Sequence, residues 1–264
     1  MVFILLLIFV IVSGSDDQLV HIFDVGSINF PCTIAKVESL SMQRFLGEFR
    51  DQKPVIIARS TNNSKFASLT TLDALSTVYG SRKITLASSN TYSRSRKTTT
   101  MEKYIKQNMN SPVSLAAEAN TTWYFFGDYV DSEWEELLSN YMLPPWSPEL
   151  NPRLSFGLGP HNSGVPFHFH GPGFSEVLHG KKRWFLYPRG QQFEFDPERT
   201  TLAWLHSVYN SLPETDRPLE CVIQPGEILY FPDQWYHGTL NIGPTVFVST
   251  FTDERNIAKN KFEL

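Results

Sequence analysis

The sequence predicts a mainly β protein, a sandwich or jelly roll with helices from its N-terminal half packed on the outside. Two observations carry this. From Arg153 onward the chain is a series of short apolar runs separated by turn residues, a texture that favours antiparallel β layers over alternating βαβ units. The first half mixes helical and strand spacing, and no Gly-, Pro- or Ser-rich linker divides the 264 residues, which suffice for one substantial core.

Taken in order, Met42, Phe45, Leu46 and Phe49 recur at helical spacing, followed by a strand over Pro54–Ala58. Leu72, Leu75, Val78 and Tyr79 form a second helical face, stopped by Gly80. Lys83–Ala87 and Trp123–Phe126 read as strands. Trp134, Leu137, Leu138 and Tyr141 give another helix, broken by Pro144-Pro145. Beyond Arg153 the expected strands are Leu154–Leu158, Val165–His170, Phe174–Leu178, Arg183–Tyr187, Leu219–Ile223, Ile228–Phe231 after the Pro225-Gly226 turn, and Thr245–Phe251. One helix interrupts them, around Thr201–Tyr209.

The formal net charge is −4, without the basic excess of a nucleic-acid binder, and Lys181-Lys182-Arg183 is too short to reverse that. Val2–Val12 is an apolar run too short to span a bilayer, and Val12 and Gly14 suit cleavage before Ser15. Residues 1–14 therefore read as a secretory signal rather than an anchor, leaving no stable membrane span, with a single domain over 15–252 and a tail over 253–264. Asn62-Asn63-Ser64 and Asn120-Thr121-Thr122 are glycosylation sequons. The terminal Lys261-Phe262-Glu263-Leu264 is a variant of the Lys-Asp-Glu-Leu retrieval signal, with Phe262 in place of the acidic residue. Together these point to the lumen of the endoplasmic reticulum. In that oxidising compartment Cys32 and Cys221, the two cysteines, can form one disulfide, worth about 4–5 kcal/mol for so long a loop.

Two segments carry candidate chemistry. Alternate side chains of a strand share a face, so His168 and His170 point the same way, and His237 beside Trp235 and Tyr236 can complete a cluster. Imidazole suits iron, zinc, copper and nickel, so the histidines do not name a metal; a lone core histidine is usually structural, and it is the cluster of three that sets a metal site level with the structural reading. Glu176 is an alternative carboxylate ligand; His161 and His179 read as surface or structural. In the second segment Lys182 shares strand parity with Trp184 and Leu186. A buried lysine needs an anionic partner, and the plainer reading of Lys181-Lys182-Arg183 is a solvated run at a hairpin.

Phe167-His168-Phe169-His170, Gly180–Pro188, Pro225–Pro232 and Trp235–Asn241, in this order and spacing, resemble the successive motifs of JmjC-domain, cupin-fold oxygenases, and Lys53–Ile57 resembles their N-terminal strand. The resemblance runs from about Cys32 to Thr252. It implies a double-stranded β-helix holding Fe(II) and 2-oxoglutarate. His168 and His237 match the family's histidine ligands, and His170 occupies the place of its carboxylate ligand. Lys182 matches the lysine that pairs with the far carboxylate of 2-oxoglutarate, Ser249 a hydroxyl partner to it, and Asn241 a recurrent polar position. Val165 stands where some relatives have a cosubstrate-binding threonine. The expected function is a lumenal regulatory or signalling protein with weak or absent oxygenase activity, working through a protein partner or self-association. The alternatives are an Fe(II)- and 2-oxoglutarate-dependent hydroxylase of a lumenal protein, and a three-histidine metal enzyme without cosubstrate. Histone demethylation fits neither the signal nor the lack of a reader domain.

Overall fold

The computed structural model describes residues 31–58, 60–128, 132–147 and 152–252. The expected signal, its cleavage point and the Lys261–Leu264 tail lie outside these residues. The chain forms β1 (Lys36–Val37), α1 (Met42–Arg44, continued by a wider turn over Phe45–Phe49), β2 (Val55–Ala58), α2 (Ser64–Leu69), α3 (Leu72–Tyr79), β3 (Lys83–Ser88) and β4 (Arg96–Thr100). Then come α4 (Met101–Tyr104), β5 (Trp123–Asp128), α5 (Ser132–Leu138), β6 (Arg153–Gly159), β7 (Gly173–Tyr187), α6 (Thr201–Ser207), β8 (Leu219–Ile223), β9 (Glu227–Phe231) and β10 (Tyr236–Phe251).

The strands run in the order β1-β2-β9-β7-β10-β6-β5-β3-β4, with β8 branching from β7. Every pairing is antiparallel except β1 with β2. β7 and β10 are the long members. The first part of β7 pairs with β9 and its later part with β8, while β10 lies along it throughout. The double-stranded jelly roll of the cupins results. Helices α2 to α5 cover its outer face as expected, packing Phe66, Leu75, Met101, Trp134 and Leu137 against Phe125, Phe156, Leu158 and Val248.

The break in β7 decides which side chains face inward. Val246 pairs with His179 but Phe247 pairs with Val177, so Leu178 is an extra residue, a bulge. Next to it Gly180 has φ +73°, and a Cβ there would lie 2.3 Å from the Pro244 carbonyl oxygen. Parity inverts across the bulge. Val177 before it and Trp184 and Leu186 after it share one inner cluster with Leu229 and Phe231, whereas Phe174 and Leu178 face outward onto other clusters.

Three expectations are corrected. Phe174–Leu178 and Arg183–Tyr187 are not two strands of a hairpin but one continuous β7, and Lys182 is buried within it rather than solvated. Val165–His170 is not a strand. Pro166 has no N–H to donate, and only His168 makes a bridge, exchanging backbone hydrogen bonds with His237 at 3.1 and 2.8 Å. Val78, placed on a buried helical face, is 66% exposed at the outer edge of α3. Among the described residues no helix is long and apolar enough to cross a membrane.

Cys32 and Cys221 are joined, tying the segment before β1 to β8, where Thr33 N–H also donates to Glu220 O at 2.8 Å. Replacing both cysteines by serine is expected to cost about 4–5 kcal/mol, because the bond closes most of the chain into one loop. Calorimetry of the oxidised protein and the double variant checks this; equal melting temperatures would contradict it.

Candidate metal centre

The reciprocal bridge between His168 and His237 sets their rings face to edge, 4.3 Å between centroids, and the extended chain through Phe169 returns His170 to the same side, 4.6 Å from His237. A further backbone bond, Gln234 N–H to His170 O at 2.9 Å, pins the far end of the segment. Phe169, between the two histidines, points out to solvent against Tyr236. One ring nitrogen from each of the three histidines lies within 4.8 Å of the others.

Each ring is locked by its own neighbourhood. His168 Nδ1 meets Pro166 O at 2.8 Å, His170 Nδ1 meets Gly171 O at 2.8 Å, and His237 Nδ1 meets Trp235 O at 2.9 Å. A carbonyl oxygen only accepts, so each Nδ1 carries the hydrogen and each neutral ring presents a bare Nε2. The Nε2 atoms of His170 and His237 are 3.1 Å apart. Burial, with the neighbouring rings adding repulsion, holds His170 down to about 3 and His237 well below the usual imidazole range. Burial likewise lowers His168, with Lys182 contributing. Lone pairs that face one another without a proton between them are the donor set of a divalent ion that accepts imidazole, and the carbonyl bonds supply the outer support such ligands need.

These rings open on a small cleft walled by Phe126, Trp184, Phe231, Phe247 and Phe251, with Val165, Thr239, Lys182 and Ser249 completing it. Among the described residues Lys182 is the one cation there. Its Nζ lies 3.8 Å from the centre of the Phe247 ring and donates to Asn241 Oδ1 at 3.0 Å. No carboxylate among the described residues pairs with it, and burial lowers it to about 7. Asn241 in turn donates from Nδ2 to Ser163 Oγ at 3.0 Å, and Ser163 donates to Pro160 O at 2.7 Å. Asn241 thus lies behind the lysine rather than on the cleft wall. Ser249 faces the cleft, its hydroxyl 3.3 Å from that of Ser175.

Glu176 is not a ligand. It sits six positions before Lys182, which on a regular strand would put both on one face, but the bulge at Leu178 turns it outward. Its carboxylate accepts from Tyr141 Oη at 2.8 Å, Asn63 Nδ2 at 2.8 Å and Thr61 Oγ1 at 3.4 Å, and burial raises its pKa. The cleft therefore has no carboxylate donor among the described residues. His161 and His179 are structural: His161 Nδ1 accepts from Gly243 N–H at 2.9 Å, and His179 Nε2 lies 2.8 Å from Ala67 O. Asn62 and Asn120 are exposed. Sequence reasoning missed the phenylalanine walls, although carrying the parity of Ser249 one step each way along its strand reaches Phe247 and Phe251.

Fold and site together define a cupin of the JmjC type. A model of the cupin-like domain matches residues 48–258. JmjC domain-containing protein 8 of Homo sapiens is 44% identical over 223 residues, covering 83% of this chain and 83% of that one. Its Mus musculus counterpart is 45% identical over 221 residues, covering 83% and 82%. The chain belongs to the JmjC domain-containing protein 8 family. More distant is a Danio rerio protein, 2-oxoglutarate and iron-dependent oxygenase JMJD4, 26% identical over 49% of this chain and 31% of that one.

Lys182 gives a pH-dependent prediction. The unfolded chain holds this proton to about pH 10.4, the fold only to about 7. Folding therefore expels a proton between those values, and stability rises with pH across that window. Lys182→Met is expected to stabilise the metal-free protein by about 3–4 kcal/mol at pH 7 and by progressively less toward pH 10. Denaturant titrations at pH 7 and pH 10 check it; a pH-independent difference would show that the lysine keeps its proton in the fold.

Proposed function

We propose that this protein is a metal-binding member of the JmjC family that resides in the lumen of the endoplasmic reticulum and acts by binding a protein partner, including a second copy of itself, with weak or absent turnover of 2-oxoglutarate. The observation that carries the reading is the convergence of three bare Nε2 atoms whose Nδ1 atoms are all committed to carbonyls. The histidine at the carboxylate position argues against full oxygenase activity, since a neutral ligand leaves the charge of a divalent ion uncompensated. The lumenal address is supported by the Cys32–Cys221 bond and by the two exposed sequons.

A second reading, an Fe(II)- and 2-oxoglutarate-dependent hydroxylase of a lumenal protein, is favoured by Lys182, a buried cation awaiting an anion. In that case Lys182 and Ser249 would receive the far carboxylate, the Asn241–Ser163 pair would keep the ammonium aimed at the cleft, and the aromatic walls would exclude water. Bound Fe(II) would supply oxygen activation, the chemistry of the metal rather than of the chain.

The two readings separate on one preparation. Protein purified from the secretory pathway is assayed for bound metal, then loaded anaerobically with Fe(II) and titrated with 2-oxoglutarate. Bound metal with no charge-transfer band is the expected result. A clean band, abolished in Lys182→Ala and followed by 2-oxoglutarate consumption with lumenal peptides, would establish the hydroxylase instead. Failure to retain any metal would overturn both.

A further inference from the structure

Resting on the reading that the three histidines hold a divalent ion, we infer that this centre selects zinc over ferrous iron, and that His170 is the residue that makes the selection. The donors are three neutral imidazole nitrogens and no oxygen. Affinity at such sites rises from manganese through iron to zinc, while carboxylate donors suit the earlier ions, so an oxygen-to-nitrogen exchange widens the gap between iron and zinc. Glu176, the carboxylate the sequence offers as an alternative ligand, is held on the other face of β7 by Tyr141 and Asn63.

Coordination number points the same way. Three protein ligands with one open position is a pattern zinc adopts. A six-coordinate ion needs three further donors, each supported by polar groups. Around the histidines the structure offers mostly rings: Phe231 lies 4.9 Å from His237 and 5.4 Å from His170, and Phe251 lies 4.9 Å from His170. Of the polar wall residues, Thr239 Oγ1 already accepts from Val165 N–H at 3.1 Å, Ser249 Oγ donates to Ser175 Oγ at 3.3 Å, and Lys182 repels a cation. Zinc has no redox chemistry, so a chain loaded with it keeps the family's cleft while forgoing oxygen activation.

The test is an anaerobic competition. Metal-free full-length protein is exposed to equimolar Zn(II), Fe(II) and Mn(II), desalted, and its bound metals measured by mass spectrometry, alongside His170→Asp. Zinc should dominate in the wild type, and the zinc-to-iron ratio should fall at least about tenfold in His170→Asp. An unchanged ratio, or comparable iron in the wild type, overturns the inference while leaving a metal site in place; no bound metal overturns the site itself. Because His170→Asp can fail to fold, the wild type loaded with Co(II) gives an independent reading. The intense visible bands of four-coordinate cobalt support the inference, and the weak spectrum of six-coordinate cobalt contradicts it.

Discussion

The antiparallel pairing of β7 with β10 is the interaction on which the rest depends. It places Asn241 opposite Lys182 and Ser249 opposite Ser175, and delivers His237 to the segment that carries the other two histidines. Both strands run through the two halves of the jelly roll, so a single ladder fixes the histidine cluster, the buried lysine and the hydroxyl pair relative to one another. Packing then holds the arrangement closed. Gly164 shows how tightly: a Cβ there would lie 1.8 Å from Thr239 O, so the chain leading to the histidines can approach β10 only without a side chain at that position.

Neighbouring cations in β7 meet opposite fates. Arg183 faces away from the cleft, where Glu220 accepts from its guanidinium at 3.0 and 2.5 Å and Tyr209 donates to the same carboxylate. Lys182, one residue earlier, faces inward with a neutral amide and an aromatic ring. Among the described residues one charge is thus neutralised by a carboxylate while its neighbour in sequence has no counterion. Replacing a buried pair costs little when both partners go, whereas a lone buried charge carries its full desolvation penalty.

Much of this was legible in the sequence, because period-two spacing is a local property. His168 and His170 share a face even though their segment is not a ladder strand, since extended backbone alternates its side chains with or without a partner. Lys182, Trp184 and Leu186 were likewise placed correctly relative to one another, all lying beyond the bulge. Glu176, an alternative ligand by residue type, is turned away because one extra residue at Leu178 inverts parity, and nothing in Val177-Leu178-His179 announces it. Beside the bulge the Gly180 backbone approaches Pro244 and Thr245 of β10 too closely for any side chain, a long-range contact that a reading confined to neighbouring residues does not reach. The phenylalanine walls have the same origin: Phe126, Phe231 and Phe247 belong to three different strands and meet only when the barrel closes.

Cys32 and Cys221 enclose His168 and His170 in one covalent ring, and His237 lies beyond it. On a chain made from its N-terminus, the cross-link and the cluster are both finished late. The ring cannot close until β8 has been synthesised, and the third imidazole arrives only with β10. The candidate cluster is thereby complete only when the whole domain has been made and docked, and a chain truncated before β10 is left with two of its imidazoles and an unpaired β7 edge.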